Sequence, residues 1–228
     1  MSELLIFGGT GTLGGAIKDR FTEAGWNLTC GTRTVKGSCD FQVPLDSKNL
    51  PAILKDKTFD AVVFAQGANI NDSVQNHEQA ELLRLFEANV SYISDNIKIL
   101  MEHNLIKSKG RVVILSSIWE LLTRQDKFAY TVTKAAVGGL VRSLAVDLGS
   151  AKGILVNGIL PGIVDTPMSR GLLKPEQIDA VINGTPTGRM LVPSDIGNAV
   201  YLLASDLNTA ISGQSLLVDN GWSIARKI

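Results

Sequence analysis

Short apolar runs ending in glycine, proline or serine alternate along this chain with longer stretches of helical periodicity. Leu4 to Phe7 runs into Gly8, Asn27 to Gly31 into Thr32, Asp60 to Phe64 towards Gly67, and Val112 to Leu115 into Ser116 and Ser117. Ile154 to Leu160 ends at Pro161-Gly162, and Ser215 to Asp219 ends near Gly221. Runs of this length, bounded by turn residues, predict buried strands. A further strand is expected over Cys39 to Val43, with Asp46 or Ser47 capping a short helix through Leu54. Too few residues separate the second and third strands for a helix between them. Helices are expected from about Ala16 to Gly25, from Glu78 to His103, from Tyr130 to a stop at Gly149, and from Ile196 to Ala204. Ser194 or Asp195 would cap the last of these. In the long second helix Leu82, Phe86, Ile93, Ile97 and Leu100 mark a buried stripe, and Asn89 falls on it. The alternation predicts an α/β fold.

Composition narrows the setting. The 228 residues are 45% hydrophobic, with 22 basic and 22 acidic side chains. That suits one domain with a sizeable core over the whole chain, 1-228. Zero net charge gives no reason to expect nucleic acid or an anionic membrane as partner. No apolar run approaches the ~20 residues of a membrane-spanning helix, and the N-terminal run is too short for a signal segment. Cys30 and Cys39 are too few for a disulfide framework, and with His77 and His103 they show no metal-ligand spacing, so no metal is expected. A reduced, cytoplasmic pair is the expectation.

Two stretches carry chemistry. Gly8-Gly9-Thr10-Gly11-Thr12-Leu13-Gly14-Gly15 lies between a strand and a helix start. Glycines permit a tight turn and close backbone approach, while the helix N-terminus offers free N–H groups to a pyrophosphate. The second strand ends in Thr32-Arg33-Thr34, where an NAD site would place a carboxylate about 20 residues past the glycines. No acid stands there, and a guanidinium can clasp a phosphate through paired hydrogen bonds. Tyr130 and Lys134 form the second stretch. Their i, i+4 spacing puts both on one helix face, where an ammonium would lower the phenol's pKa from its usual ~10. Ser117 precedes Tyr130 by thirteen residues, at the end of a strand. Gly67 allows close backbone approach after the fourth strand, while Gln66 beside it has no assigned role.

Taken together, these residues resemble the short-chain dehydrogenase/reductase family. The match extends over nearly the whole chain, and it implies a single Rossmann-like, doubly wound domain with a parallel sheet of about seven strands. Ser117, Tyr130 and Lys134 match the family's carbonyl-orienting Ser, proton-transferring Tyr and pKa-lowering, ribose-holding Lys. Asn89 would be the fourth active-site residue, its backbone holding a relay water. Gly8, Thr10, Gly11, Thr12, Leu13, Gly14, Arg33, Gly67, Tyr130 and Lys134 would contact the cofactor. In Pro161-Gly162-Ile163, the Ile163 backbone together with the Thr166 hydroxyl would grip the carboxamide. Either Asp40 or Asp46 would touch the adenine, with helix capping the better single reading of Asp46, and about 167-190 would form a variable lid. The Gly8/Gly11/Gly14 spacing is similar to the family's extended branch. In the single-domain branch the middle glycine would fall at Thr12 and a Thr would replace Phe7.

The resemblance implies hydride transfer between NADP(H), preferred over NAD(H), and a small carbonyl or alcohol substrate. Family likeness, with Ala135, Gly138 and Gly139 on the Tyr130 helix, points to a homo-oligomer, a tetramer or a dimer. A non-catalytic dinucleotide sensor would not need the Ser117/Tyr130/Lys134 set. A sugar-nucleotide-modifying member would be expected to extend further past the last strand.

Overall fold

A computed structural model describes residues 1–225. The strands are β1 (Glu3–Phe7), β2 (Asn27–Thr32), β3 (Asp40–Gln42), β4 (Phe59–Phe64), β5 (Ile106–Leu115), β6 (Leu155–Pro161) and β7 (Ser215–Val218). They form one seven-stranded sheet in the order β3-β2-β1-β4-β5-β6-β7, every neighbouring pair parallel. Strand alternation sends successive side chains to opposite faces. Leu5 and Phe7 enter one hydrophobic cluster, Leu4 and Ile6 the other, so the strand is apolar on both sides. The apolar runs in the sequence are buried strands for this reason.

One face is covered by α1 (Thr12–Glu23) and α7 (Pro193–Ala204). Gly197 lets them touch, since a Cβ there would sit 2.7 Å from the Ala16 carbonyl oxygen. The other face carries α2 (Gln79–Phe86), a π-turn over Glu87–Ser91, α3 (Tyr92–Glu102) and the 25-residue α4 (Phe128–Lys152). Two short helices, α5 (Pro167–Leu172) and α6 (Pro175–Gly184), fill the expected lid segment. The chain reverses its direction of winding between β1 and β4, which opens a crevice beyond their C-terminal ends.

Several local expectations need correcting. The capped helix through Leu54 is only a 3-10 turn, Ala52–Leu54. Asp46 instead accepts the Lys48 N–H at 2.9 Å within a tight turn. α4 passes Gly149 and stops at Gly153, whose φ of 67° suits the left-handed end of a helix. α7 starts at Pro193 and neither Ser194 nor Asp195 is its N-cap. Asp195 reaches back to the Val192 N–H at 2.9 Å while pairing with Arg189. Phe86 is 39% exposed, and Leu85 takes its place on the buried stripe. A π-turn centred on Asn89 interrupts what reads in sequence as one helix.

Candidate active site

The glycine turn is shaped by missing side chains. Gly8 adopts φ of 81°, and a Cβ there would meet the Gln66 backbone nitrogen at 2.6 Å. A Cβ on Gly14 would collide with the Gly8 carbonyl. Gly11 is the N-cap of α1 and supplies no side-chain cap. The first-turn N–H groups of Thr12, Leu13 and Gly14 therefore lack helical partners, which is the setting that holds a pyrophosphate. Thr10, Gly11 and Thr12 are exposed, so the turn opens outward. These residues fit a dinucleotide.

At the end of β2, Thr32 is buried and its hydroxyl donates to the Thr34 carbonyl at 2.9 Å, which takes it out of ligand contact. Arg33 is exposed beside it. Asp40 accepts the Lys36 and Gly37 N–H groups, so its carboxylate closes a turn. Lys18 of α1 was not singled out in the sequence. Its stem passes under Gly9, where a Cβ would lie 3.0 Å from it, and its charge acts on Cys30 in β2. Only the fold brings it there.

Ser117, Tyr130, Lys134 and Asn89 converge at the C-terminal ends of β4 and β5. Ser117 is 8% exposed, caps the turn after β5 and accepts the Trp119 N–H at 3.3 Å. Burial pushes the Tyr130 phenol up to about 12, with the nearby Ser117 hydroxyl opposing by favouring the ionised form. Lys134 is 4% exposed and donates to the Leu115 carbonyl at 3.2 Å. Its Nζ lies 5.6 Å from the Tyr130 ring centroid. Burial pulls it down to about 8, with Glu120 opposing. The spacing argument expected Lys134 to lower the tyrosine's pKa. In the chain alone, burial raises that pKa, and Lys134 is turned to the sheet backbone.

Asn89 is 1% exposed and fully engaged. Its Oδ1 accepts the Ala68 N–H at 2.8 Å, and its Nδ2 donates to the Ala68 carbonyl and the Thr133 hydroxyl, each at 3.0 Å. The side chain thereby straps the turn after β4 to α4. Gly67 fits below, since a Cβ there would come 3.2 Å from Asn89 Oδ1 and 3.7 Å from Lys134 Nζ. At the end of β6, the Gly162 N–H donates to the Val218 carbonyl at 2.9 Å. A Cβ on Gly162 would press on Asp219 at 2.7 Å. Pro161 is buried and Ile163 half-buried. The Thr166 hydroxyl caps α5 by accepting the Ser169 N–H at 3.1 Å.

In the sequence Trp119 and Glu120 belong to a bulky, charged loop that can line a substrate pocket, with surface charge the default reading, and Lys127 is not singled out. Glu120 is no surface charge: its carboxylate presses into the notch left by Gly138, and Oε2 is buried with no partner. Trp119 meets Trp222 edge-on with centroids 6.5 Å apart, and Gly184 of α6 backs onto the Trp222 indole. Lys127 is 5% exposed, with its Nζ 5.4 Å from the Tyr130 ring centroid. These placements depend on tertiary contacts that local spacing does not encode. No metal-binding cluster occurs among the described residues.

A family model described as Enoyl-(Acyl carrier protein) reductase matches residues 23–223. Cyclopentanol dehydrogenase from a Comamonas species is 33% identical over 165 residues, covering 72% of this chain and 66% of that protein. The 3-oxoacyl-[acyl-carrier-protein] reductase FabG of Chlamydia muridarum is 32% identical over 169 residues, covering 73% and 66%. The match thus spans just under two thirds of these relatives' length. A short chain dehydrogenase family structure from Francisella tularensis superposes with a TM-score of 0.85 at 22% identity, covering 99% of this chain and 100% of that one. The chain belongs to the short-chain dehydrogenase/reductase family, whose members are nicotinamide-dependent oxidoreductases of alcohols and carbonyls.

Proposed function

We propose that this protein reduces a carbonyl compound with NADP(H), or oxidises the matching alcohol. The carrying observation is that Tyr130 and the buried Ser117 and Lys134 meet at the end of β5, with Lys134 Nζ on the Leu115 carbonyl and 5.6 Å from the Tyr130 ring centroid. When bound, the nicotinamide supplies or accepts hydride. Ser117 orients the reacting oxygen and Tyr130 gives or takes its proton. A phenol held near 12 is protonated at neutral pH, which suits donation to a carbonyl. Lys134 supplies positive charge beside any phenolate that forms, and Asn89 fixes the turn that walls the site. Gly8, Thr12, Leu13 and Gly14 would hold the pyrophosphate, and Ile163 and Thr166 the carboxamide. Arg33 would clasp a 2′-phosphate, because the end of β2 carries no carboxylate to repel it. The test is NADPH oxidation over a panel of carbonyl compounds, repeated with Tyr130→Phe. Turnover that survives in Tyr130→Phe would refute the assignment.

Assembly and setting complete the reading. Leu83 and Phe86 of α2 and Val132 and Val146 of α4 are exposed apolar residues, and Gly139 faces open space. Pairing these helices across a two-fold axis would cover them in a dimer or tetramer. A monomeric mass in light scattering at micromolar concentration would refute this. Cys30 and Cys39 are unpaired, which suits a reducing compartment such as the cytoplasm. No described helix is long and apolar enough to cross a membrane.

A further inference from the structure

The proton-transfer set leaves one buried cation unused. Lys127 stands three residues before Tyr130, on the same face of α4 but one turn away on the side opposite Lys134. Its Nζ donates to Asn69 Oδ1 at 2.9 Å, a neutral partner. It forms no ion pair among the described residues. Asp72 attracts it from the same loop, but that carboxylate is bonded to the Ala129 N–H at 3.0 Å. Arg124 adds a second positive charge that acts on it.

This arrangement is costly for the empty protein. A lysine that is 5% exposed ordinarily has a carboxylate partner. Lys127 is also the N-cap residue of α4, where a cation opposes the helix dipole. Burial draws its pKa down to about 8, so it still carries its charge at neutral pH. Asp72 acts on Lys127 only from beyond salt-bridge distance, its Oδ2 buried without a partner. An anion arriving here would therefore form the direct ion pair that Lys127 lacks and meet the favourable end of the helix dipole. Ser117 and Tyr130 fix where a reacting carbonyl oxygen sits. The ammonium lies 5.4 Å from the Tyr130 ring centroid, a separation that the few bonds between a carbonyl and a nearby carboxylate can span. Asn69, which holds the ammonium, is exposed on the loop after Gly67.

We propose that Lys127, held by Asn69, receives a carboxylate on the substrate, so that the favoured substrates are oxo acids and, in reverse, the corresponding hydroxy acids. The proposal rests on the oxidoreductase reading above and adds the substrate class. Lys127 and Asn69 position the substrate, and the proton still comes from Tyr130.

The test measures NADPH-dependent reduction of aliphatic and aryl oxo acids, each beside its methyl ester, by wild type, Lys127→Gln and Asn69→Ala. One charge-assisted hydrogen bond corresponds to roughly ten- to hundredfold in kcat/KM. Wild type should prefer each favoured acid over its ester by about that factor, and Lys127→Gln should bring the ratio near one, the acid rate falling far more than the ester rate. The loss should appear mainly in KM. Asn69→Ala alters an exposed loop residue, so it covers the case in which Lys127→Gln does not fold; it should lower the same ratio severalfold. Equal turnover of acids and esters by wild type, or equal losses on both in the variants, would overturn the carboxylate site and leave the oxidoreductase reading standing. Absence of turnover on every acid and ester would overturn both.

Discussion

The glycine turn after β1 and the tyrosine face of α4 lie within one crevice but are built by opposite means. Around Gly8, Gly11 and Gly14 the working groups are backbone N–H donors, and the sequence contributes by leaving atoms out. Around Tyr130 the working groups are side chains. Two lysines lie within 6 Å of the ring, each withdrawn from water. The first region should tolerate change among its exposed polar residues and fail when a methyl group is added. The second should fail when a single polar atom is removed.

The sharpest break is expected on the tyrosine side. Tyr130→Phe keeps the ring and removes the proton donor, so turnover should fall by about 10²–10⁴ while NADPH binding is kept. Ser117→Ala should cost less, because it disturbs orientation and leaves the donor in place. Single-turnover kinetics with a cofactor titration would check both. On the glycine side, Gly14→Ala sets a methyl against the Gly8 carbonyl. It should weaken either cofactor by at least ~10-fold and lower the melting temperature, whereas Thr12→Ala should leave binding within a few-fold.

Arg33→Ala is the next smaller effect, and it separates the two regions by charge. The guanidinium is exposed at the end of β2. NADPH binding should weaken roughly ten- to hundredfold, with NADH barely changed. Fluorescence titration of both cofactors decides it, and equal losses would remove Arg33 from the 2′-phosphate site.

The smallest effect concerns stability against pH. Lys127 and Lys134 fold with pKa values drawn down to about 8 from 10.5. Between pH 7 and 9 the folded chain releases these protons while the unfolded chain keeps them, so stability rises with pH. The gain is on the order of 1 kcal/mol for each lysine. It should be halved in Lys134→Met, as read from urea unfolding at the two pH values. Tyr130 and Cys30, raised to about 12 and 11, titrate above this window.

Legibility in the sequence follows the same division. The strands, the glycine turn and the Ser117/Tyr130/Lys134 spacing depend on local pattern, and the fold class could be anticipated from them. Lys127, Glu120 and Lys18 were read as ordinary charges, or passed over, because their surroundings come from distant segments. Gly138, eighteen residues along the chain, is what makes room for Glu120. The direction of the Tyr130 shift was missed for a related reason. Helical spacing reveals the nearby ammonium but gives no measure of how much water the fold removes. Helix ends were misplaced by a few residues, as at α7, where Asp195 closes the first turn by accepting the Val192 N–H.

The π-turn at Asn89 can also be viewed as a matter of angle. Leu85, Asn89, Ile93 and Ile97 are all buried, and they recur every fourth residue. In an ordinary α-helix each four-residue step overshoots a full turn by about 40°, so three steps carry a side chain about a third of the way around the rod. The wider turn over Glu87–Ser91 absorbs that drift. It keeps Asn89 aimed at Ala68 between the buried Leu85 and Ile97. The polar anchor of the site and the apolar grip of the helix therefore share one phase setting. Deleting a single residue here would rotate Asn89 away from Ala68 by roughly 100° while leaving every side chain in the site chemically intact.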